Sequence, residues 1–115
     1  LCGMAVGFDL LAAETVLKVK KELPDIILTA VVPFLLQYER WSEREKLRYH
    51  SIISRTDNVV VLSEHYYNGC LLRRNDYMLS HCNGVIAYYD GTPRGGTYYT
   101  IRKARQMKLP VLNLF

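Results

Sequence analysis

The sequence predicts an α/β domain of the Rossmann-like, doubly wound kind: a parallel sheet with helices on both faces. Three observations carry this. Short β-branched apolar runs alternate with longer segments of helical composition along all 115 residues, and strands alternating with single helices imply right-handed βαβ units. The apolar runs are continuous rather than alternating, as in strands covered on both faces. Two glycine-bearing loops stand where such a strand would lead into a helix, the place where parallel sheets bind ligands.

The elements follow in order. Asp9–Glu22 is helical, with Leu10, Ala13, Leu17 and Leu11, Ala12, Val16, Val19 making a broad apolar face. Lys18, Lys20 and Lys21 complement the negative end of its dipole, and Pro24 stops it. Residues 26–32 (Ile-Ile-Leu-Thr-Ala-Val-Val) form a buried strand. Ser42–Arg55 is a charged helix opened by a capping box of Ser42 and Glu45. Val59–Leu62 is the next buried strand, followed by a helix over Gly69–Cys82 anchored by Leu71, Leu72, Met78 and Leu79. A strand over 84–89, a helix over Thr97–Met107 and a strand over Pro110–Leu114 complete the series.

Length predicts one domain over residues 1–115. The chain opens Leu1-Cys2-Gly3 without a Met. Leu1 and Cys2 read as the end of a strand, so an N-terminal strand and helix are expected to be missing from this chain. Half the residues are apolar, enough for a single core burying about two thirds of the unfolded surface. No apolar run approaches the roughly 20 residues of a membrane span, and no signal peptide is visible. Cys2, Cys70 and Cys82 are an odd number with no CxxC pair. They read as free thiols of a cytoplasmic protein. His81 beside Cys82 has no second ligand pair at zinc spacing, so no metal is expected. The net charge of +4 suits a phosphate-bearing ligand as well as an inert surface.

Four loops are candidates for chemistry. Gly3-Met4-Ala5-Val6-Gly7-Phe8-Asp9 opens a helix. Its glycines, Gly3 and Gly7, allow a tight turn and close approach of a ligand to the backbone. Asp9 either caps the helix or accepts a hydrogen bond from a ribose hydroxyl. Asp90-Gly91-Thr92-Pro93-Arg94-Gly95-Gly96-Thr97 also precedes a helix. Gly95 and Gly96 free the backbone, Thr97 can cap the helix and bond a phosphate oxygen, and Arg94 adds charge. No Gly-Lys-Ser/Thr ends it, so it is a phosphate cradle without being a Walker loop. In Arg73-Arg74-Asn75-Asp76-Tyr77-Met78 one arginine must face away from the apolar anchors, where it either is solvated or clamps a phosphate. Pro33-Phe34 with Gln37, Arg40 and Trp41 can stack a base or simply pack. No Ser-His-Asp or Cys-His arrangement can be assembled.

Together these loops resemble the SLOG superfamily, in particular its YpsA-like branch of unknown function. The resemblance runs over the whole chain: Gly3-Met4-Ala5-x-Gly7-x-Asp9 with Ala12-Ala13-Glu14, Val32-Pro33-Phe34 with Gln37 and Trp41, Arg74-Asn75-x-x-Met78, and Gly95-Gly96-Thr97. It implies a Rossmann-like fold binding a nucleotide or a nucleotide-derived ligand such as NAD or ADP-ribose. The implied site comprises Gly3, Gly7, Asp9, Arg74, Asn75, Arg94, Gly95, Gly96 and Thr97. The implied partner is that small molecule; self-association is allowed, and neither nucleic acid nor membrane is expected. The expected role is sensing or regulation. The LOG phosphoribohydrolases are similar at Arg74 and at Gly95-Gly96-Thr97, and would imply N-glycosidic hydrolysis of nucleoside monophosphates. Their glycine loop is followed by acidic residues, where this chain has Tyr98-Tyr99-Thr100-Ile101. Glu14 and Asp9 are the carboxylates left to replace them, with Glu14 and Arg74 the candidate catalytic residues. The DNA-processing protein A family shares the first loop and binds single-stranded DNA, but this chain lacks a basic stripe interleaved with aromatics.

Overall fold

The computed structural model describes residues 1–115. Its elements run α1 (Phe8–Lys20), β1 (Thr29–Val32), α2 (Glu43–Ile53), β2 (Asn58–Val61), α3 (Cys70–Ser80), β3 (Val85–Ala87), α4 (Gly96–Gln106) and β4 (Val111–Asn113). Every strand pairing is parallel: β1 with β2 from Thr29↔Asn58 to Val32↔Val61, and β3 with β4 from Val85↔Val111 to Ala87↔Asn113. This is the parallel α/β, Rossmann-like arrangement that the alternating pattern predicts. The strands form two small sheets, and the chain divides into two compact units, residues 1–70 and 71–115.

In the first unit β1 is central. Cys2 bridges to Ala30 in parallel on the edge away from β2, through Cys2 N–H to Thr29 O and Val31 N–H to Cys2 O. Ala30, Val31 and Val32 are accordingly buried. Helices α1 and α2 pack against each other. Leu10, Ala13 and Leu17, spaced three and four apart, enter a core with Met4, Leu28, Ala30, Tyr49 and Ile52. Trp41 packs edge-on against Tyr49, and Tyr38 lies against both Tyr49 and His50. In the second unit α4 packs on β3 and β4, and Ile101, Ala104 and Ala87 are buried.

Several expectations change. The strand expected over 26–32 pairs only from Thr29. Asp57 Oδ2 accepts the Leu28 N–H at 2.8 Å, so a side chain takes the place of a ladder partner there. The strand expected to reach Tyr89 ends at Ala87. Asn113 Oδ1 accepts the Tyr89 N–H while Asn113 Nδ2 donates to Tyr89 O, both at 2.9 Å. The helix expected to reach Glu22 ends at Lys20, where Lys21 N–H and Glu22 N–H turn back to Lys18 O and Val19 O. Continuous apolar runs do not mean burial throughout: Val59 and Val61 of β2 are nearly half exposed, as are Leu11 and Val19 of α1 or more so. On α3 the buried residues are Cys70, Arg74 and Leu79, whereas Leu71 and Leu72 face outward. The helix begins one residue later than expected, and Cys70 starts its inner stripe.

Candidate functional site

Because the first unit's strands are parallel, the chain leaves Cys2, β1 and β2 at the same edge. The Gly3–Gly7 loop therefore sits at the carboxyl ends of the strands. Gly7, the N-cap of α1, has φ 97° and ψ −126°, a conformation open to glycine. Met4 takes φ 59° while fully buried, and its carbonyl accepts from Gln37 Nε2. Asp9 is not the N-cap. It lies in the first turn of α1, and its Oδ2 accepts the Ala5 N–H at 3.2 Å, closing the loop. Its negative charge already complements the positive end of α1. Phe34 and Tyr66, from the segments following β1 and β2, pack edge to face with centroids 5.5 Å apart.

Glu14 is drawn into a different task. Both of its carboxylate oxygens take the Arg48 guanidinium, at 2.6 and 3.4 Å, and Arg48 also reaches Glu45. The Arg48 hydrogen bond holds the Glu14 carboxyl below its ordinary value. A carboxylate so engaged ties α1 to α2 and is a weak base.

The second glycine loop is built differently. Gly95 is the N-cap of α4 with φ 95° and ψ 178°, a region almost confined to glycine. No side chain caps the helix, and its first turn carries no acid. Thr97 is therefore not the cap. It lies inside the first turn and is exposed. Arg94 is exposed, its backbone N–H closing a turn onto Thr92 O. The N–H groups at the start of α4 and the helix dipole together favour an anion.

Helix α3 supplies the other wall. Arg74 is 6% exposed, whereas Arg73 is exposed. Arg74 Nε donates to Asn75 Oδ1 at 2.8 Å. The Asn75 amide nitrogen lies on the Gly96 side, 3.7 Å from where a Cβ on Gly96 would stand. A buried cation thus orients an amide donor at the α4 N-terminus. Asp76, next in sequence, accepts at Oδ1 from Tyr99 Oη at 2.9 Å and pairs there with Lys103 Nζ at 2.7 Å. That carboxylate raises the Lys103 ammonium above its ordinary value. Lys103 also lies over the Tyr99 ring, 5.8 Å from its centroid.

The structure thus brings Arg74, Asn75, Gly95 and Gly96 into one neighbourhood, and Gly3, Gly7 and Asp9 into another. The sequence reading missed Asp76, Tyr99 and Lys103. The available signal was the spacing of Tyr99 and Lys103, four apart on one face of α4. No group of three or more His, Cys, Asp or Glu side chains is placed to hold a metal ion, and no helix is long and apolar enough to cross a membrane.

The sequence profile of the YspA SLOG family (YpsA) matches residues 1–110. The chain belongs to this family. Its similarity to curated relatives agrees: it is 34% identical over 109 residues to a UPF0398 protein of Halalkalibacterium halodurans, covering 91% of the chain and 58% of that relative. A UPF0398 protein of Brevibacillus brevis is 32% identical over 101 residues, covering 86% of the chain and 54% of the relative. A third, from Bacillus licheniformis, is 25% identical over 103 residues. The chain spans little more than half the length of these relatives. The family is one of unknown function, as the resemblance of the loops implies.

Proposed function

We propose that this SLOG domain binds a nucleotide or nucleotide-derived ligand through a phosphate held at the N-terminus of α4, and that it acts as a sensor or regulatory module in the cytoplasm. The observation that carries this reading is the pairing of an uncapped, acid-free α4 N-terminus with the Asn75 amide that Arg74 orients beside Gly96. A phosphate there accepts from backbone N–H groups and the amide together. The α1 N-terminus is a poorer anion site, because the Asp9 carboxylate already occupies its first turn. Binding without turnover is favoured because Glu14 is engaged by Arg48 and α4 offers no carboxylate of its own in its first turn.

A thermal-shift screen with nucleoside mono- and diphosphates, NAD and ADP-ribose tests the reading. At least one should raise the melting temperature at millimolar concentration, with no free base released on prolonged incubation. If none shifts the transition, the reading fails. Release of free base would replace a sensor with a phosphoribohydrolase.

A further inference from the structure

The loop between β3 and α4 is rich in glycine, with Gly91, Gly95 and Gly96 among residues 90–96, and such a chain has little stiffness of its own. It is nonetheless braced, and the braces converge on Tyr89. This residue is fixed at three points. Its backbone N–H and carbonyl are both taken by the Asn113 side chain of β4, at 2.9 Å each. Its ring lies against that of Tyr98, in the first turn of α4, with centroids 6.3 Å apart and planes 28° from parallel. Its hydroxyl donates to the Thr92 carbonyl at 2.8 Å. The same carbonyl accepts the Arg94 N–H at 2.8 Å, and the Thr92 N–H donates to Asp90 Oδ1 at 2.9 Å. One tyrosine therefore joins the end of β3 to β4, to α4 and to the middle of the loop. Asn113 Oδ1 also accepts the Phe115 N–H at 3.1 Å, so the acceptor behind Tyr89 is shared with the chain that follows β4.

We propose that Tyr89 is a positioning residue that pins residues 90–95 as a preformed strap, set in the free protein rather than closed by a ligand. The hydroxyl is the decisive atom, because it crosses from the strand end to the middle of the loop. The Asp90 and Arg94 contacts are local to the loop and cannot place it against β4 or α4. A single hydrogen bond adds little to the stability of a whole fold. It decides between one conformation and many where the segment it holds is glycine-rich. The inference deepens the phosphate reading above, and only its binding consequence rests on that reading. A ligand that meets a shaped loop is spared the cost of ordering it, and the Gly95 N-cap that opens α4 is presented ready formed. Tyr89 acts through the loop and needs no contact with the ligand.

Backbone nitrogen relaxation on the 115-residue chain tests the strap without any ligand. The amides of Gly91, Thr92, Arg94 and Gly95 should have order parameters near those of α4, about 0.85. Tyr89→Phe keeps the ring and loses only the hydroxyl. It should lower the loop values below about 0.6, while the amides of α3 and α4 keep theirs and the melting temperature hardly moves. Tyr98→Phe, which keeps the ring against Tyr89, should leave the loop rigid. A loop already below about 0.6 in the unaltered protein overturns the proposal, and so does a loop unchanged in Tyr89→Phe. Loosening shared by α3 and α4 also overturns it, because Tyr89 would then serve general packing. Calorimetric titration with inorganic phosphate reads the consequence. Tyr89→Phe should bind about threefold or more weakly, since only the fraction of molecules with a formed loop is competent. Unchanged affinity in a variant whose loop has loosened overturns the binding role of the strap. Failure of the unaltered protein to bind phosphate overturns the phosphate reading, and the relaxation measurement still decides the strap.

Discussion

Arg74 Nε can only donate, so the oxygen of Asn75 must face it and the amide nitrogen must face the other way. This fixes the donor at Gly96 by chemistry rather than by choice of rotamer. Asn75→Asp keeps the shape but exchanges a donor for a negative charge at the anion position. It should weaken nucleotide binding more than about tenfold and leave the unliganded melting temperature nearly unchanged. Arg74→Ala should weaken binding by roughly 1.5–3 kcal/mol, and should also lower stability, because the removed side chain is 6% exposed. Arg74→Lys should recover only part of the affinity, since an ammonium cannot reproduce the planar fork. Arg73→Ala, at an exposed position, is the control and should alter stability by no more than about 0.5 kcal/mol. Titration calorimetry with the best nucleotide and thermal denaturation read both quantities. Which arginine turns inward could not be settled from apolar spacing alone: Leu71 and Leu72 look like anchors in the sequence but face outward, and the inner stripe is set by Cys70, Arg74 and Leu79. Asp76 was invisible for a related reason, since its partners lie on another helix.

At the scale of the elements, polar side chains end strands that hydrophobicity alone would extend. Asn113 pairs with both backbone groups of Tyr89, and Asp57 takes the Leu28 N–H and pairs with Lys20. Apolar runs therefore located every strand, but their ends depend on long-range contacts that no local pattern records. Helix starts were more legible where the cap is local. Ser42 accepts the Glu45 N–H at 3.3 Å as the capping pattern predicts, although the Glu45 side chain turns to Arg48 instead of back to the N-cap. At α4 the N-cap is Gly95, and φ 95° with ψ 178° carries a penalty for any other residue. Gly95→Ala should cost about 1–3 kcal/mol of stability in denaturant titration, although nothing stands within 4 Å of the added methyl. The α1–α2 tie has a pH signature. Arg48 lowers the Glu14 carboxyl below its ordinary 4.5, so the pair stabilises the fold above that value and the contribution is lost as pH falls through the depressed folded value. The pair is partly solvated, so Glu14→Gln should cost about 0.2–1 kcal/mol at neutral pH, and progressively less as pH falls through the depressed folded value. A larger acid-independent loss would mean that packing rather than charge holds the two helices.

For the molecule as a whole, the alternation of strands and helices and the order of the glycine loops gave both the parallel α/β class and the family. The candidate anion site was legible because it depends on local features, a glycine able to take positive φ and a helix that follows it. The cluster of Asp76, Tyr99 and Lys103 was not, because it is made where α3 meets α4. Salt dependence separates a mononucleotide site from a nucleic-acid surface. The net charge of +4 is spread over a chain with 15 basic and 11 acidic residues, and many of these are already paired: Lys20 with Asp57, Lys46 with Glu43, Arg48 with Glu14 and Glu45, and Lys103 with Asp76. A single-stranded DNA binder that neutralised six phosphates would lose affinity with a log–log salt slope of about −4, at roughly −0.7 per phosphate contacted. One phosphate held by neutral backbone N–H groups and the Asn75 amide displaces few counterions, so the affinity for the preferred mononucleotide should fall by less than a factor of about three between 50 and 200 mM salt. An oligonucleotide of the same base should bind no more tightly per site than the mononucleotide, because the proposed site engages a single phosphate. Fluorescence anisotropy with a labelled oligomer, beside titration of the monomer over the same salt series, provides the measurement. A steep slope shared by both ligands would transfer the function from a small-molecule sensor to a nucleic-acid binder.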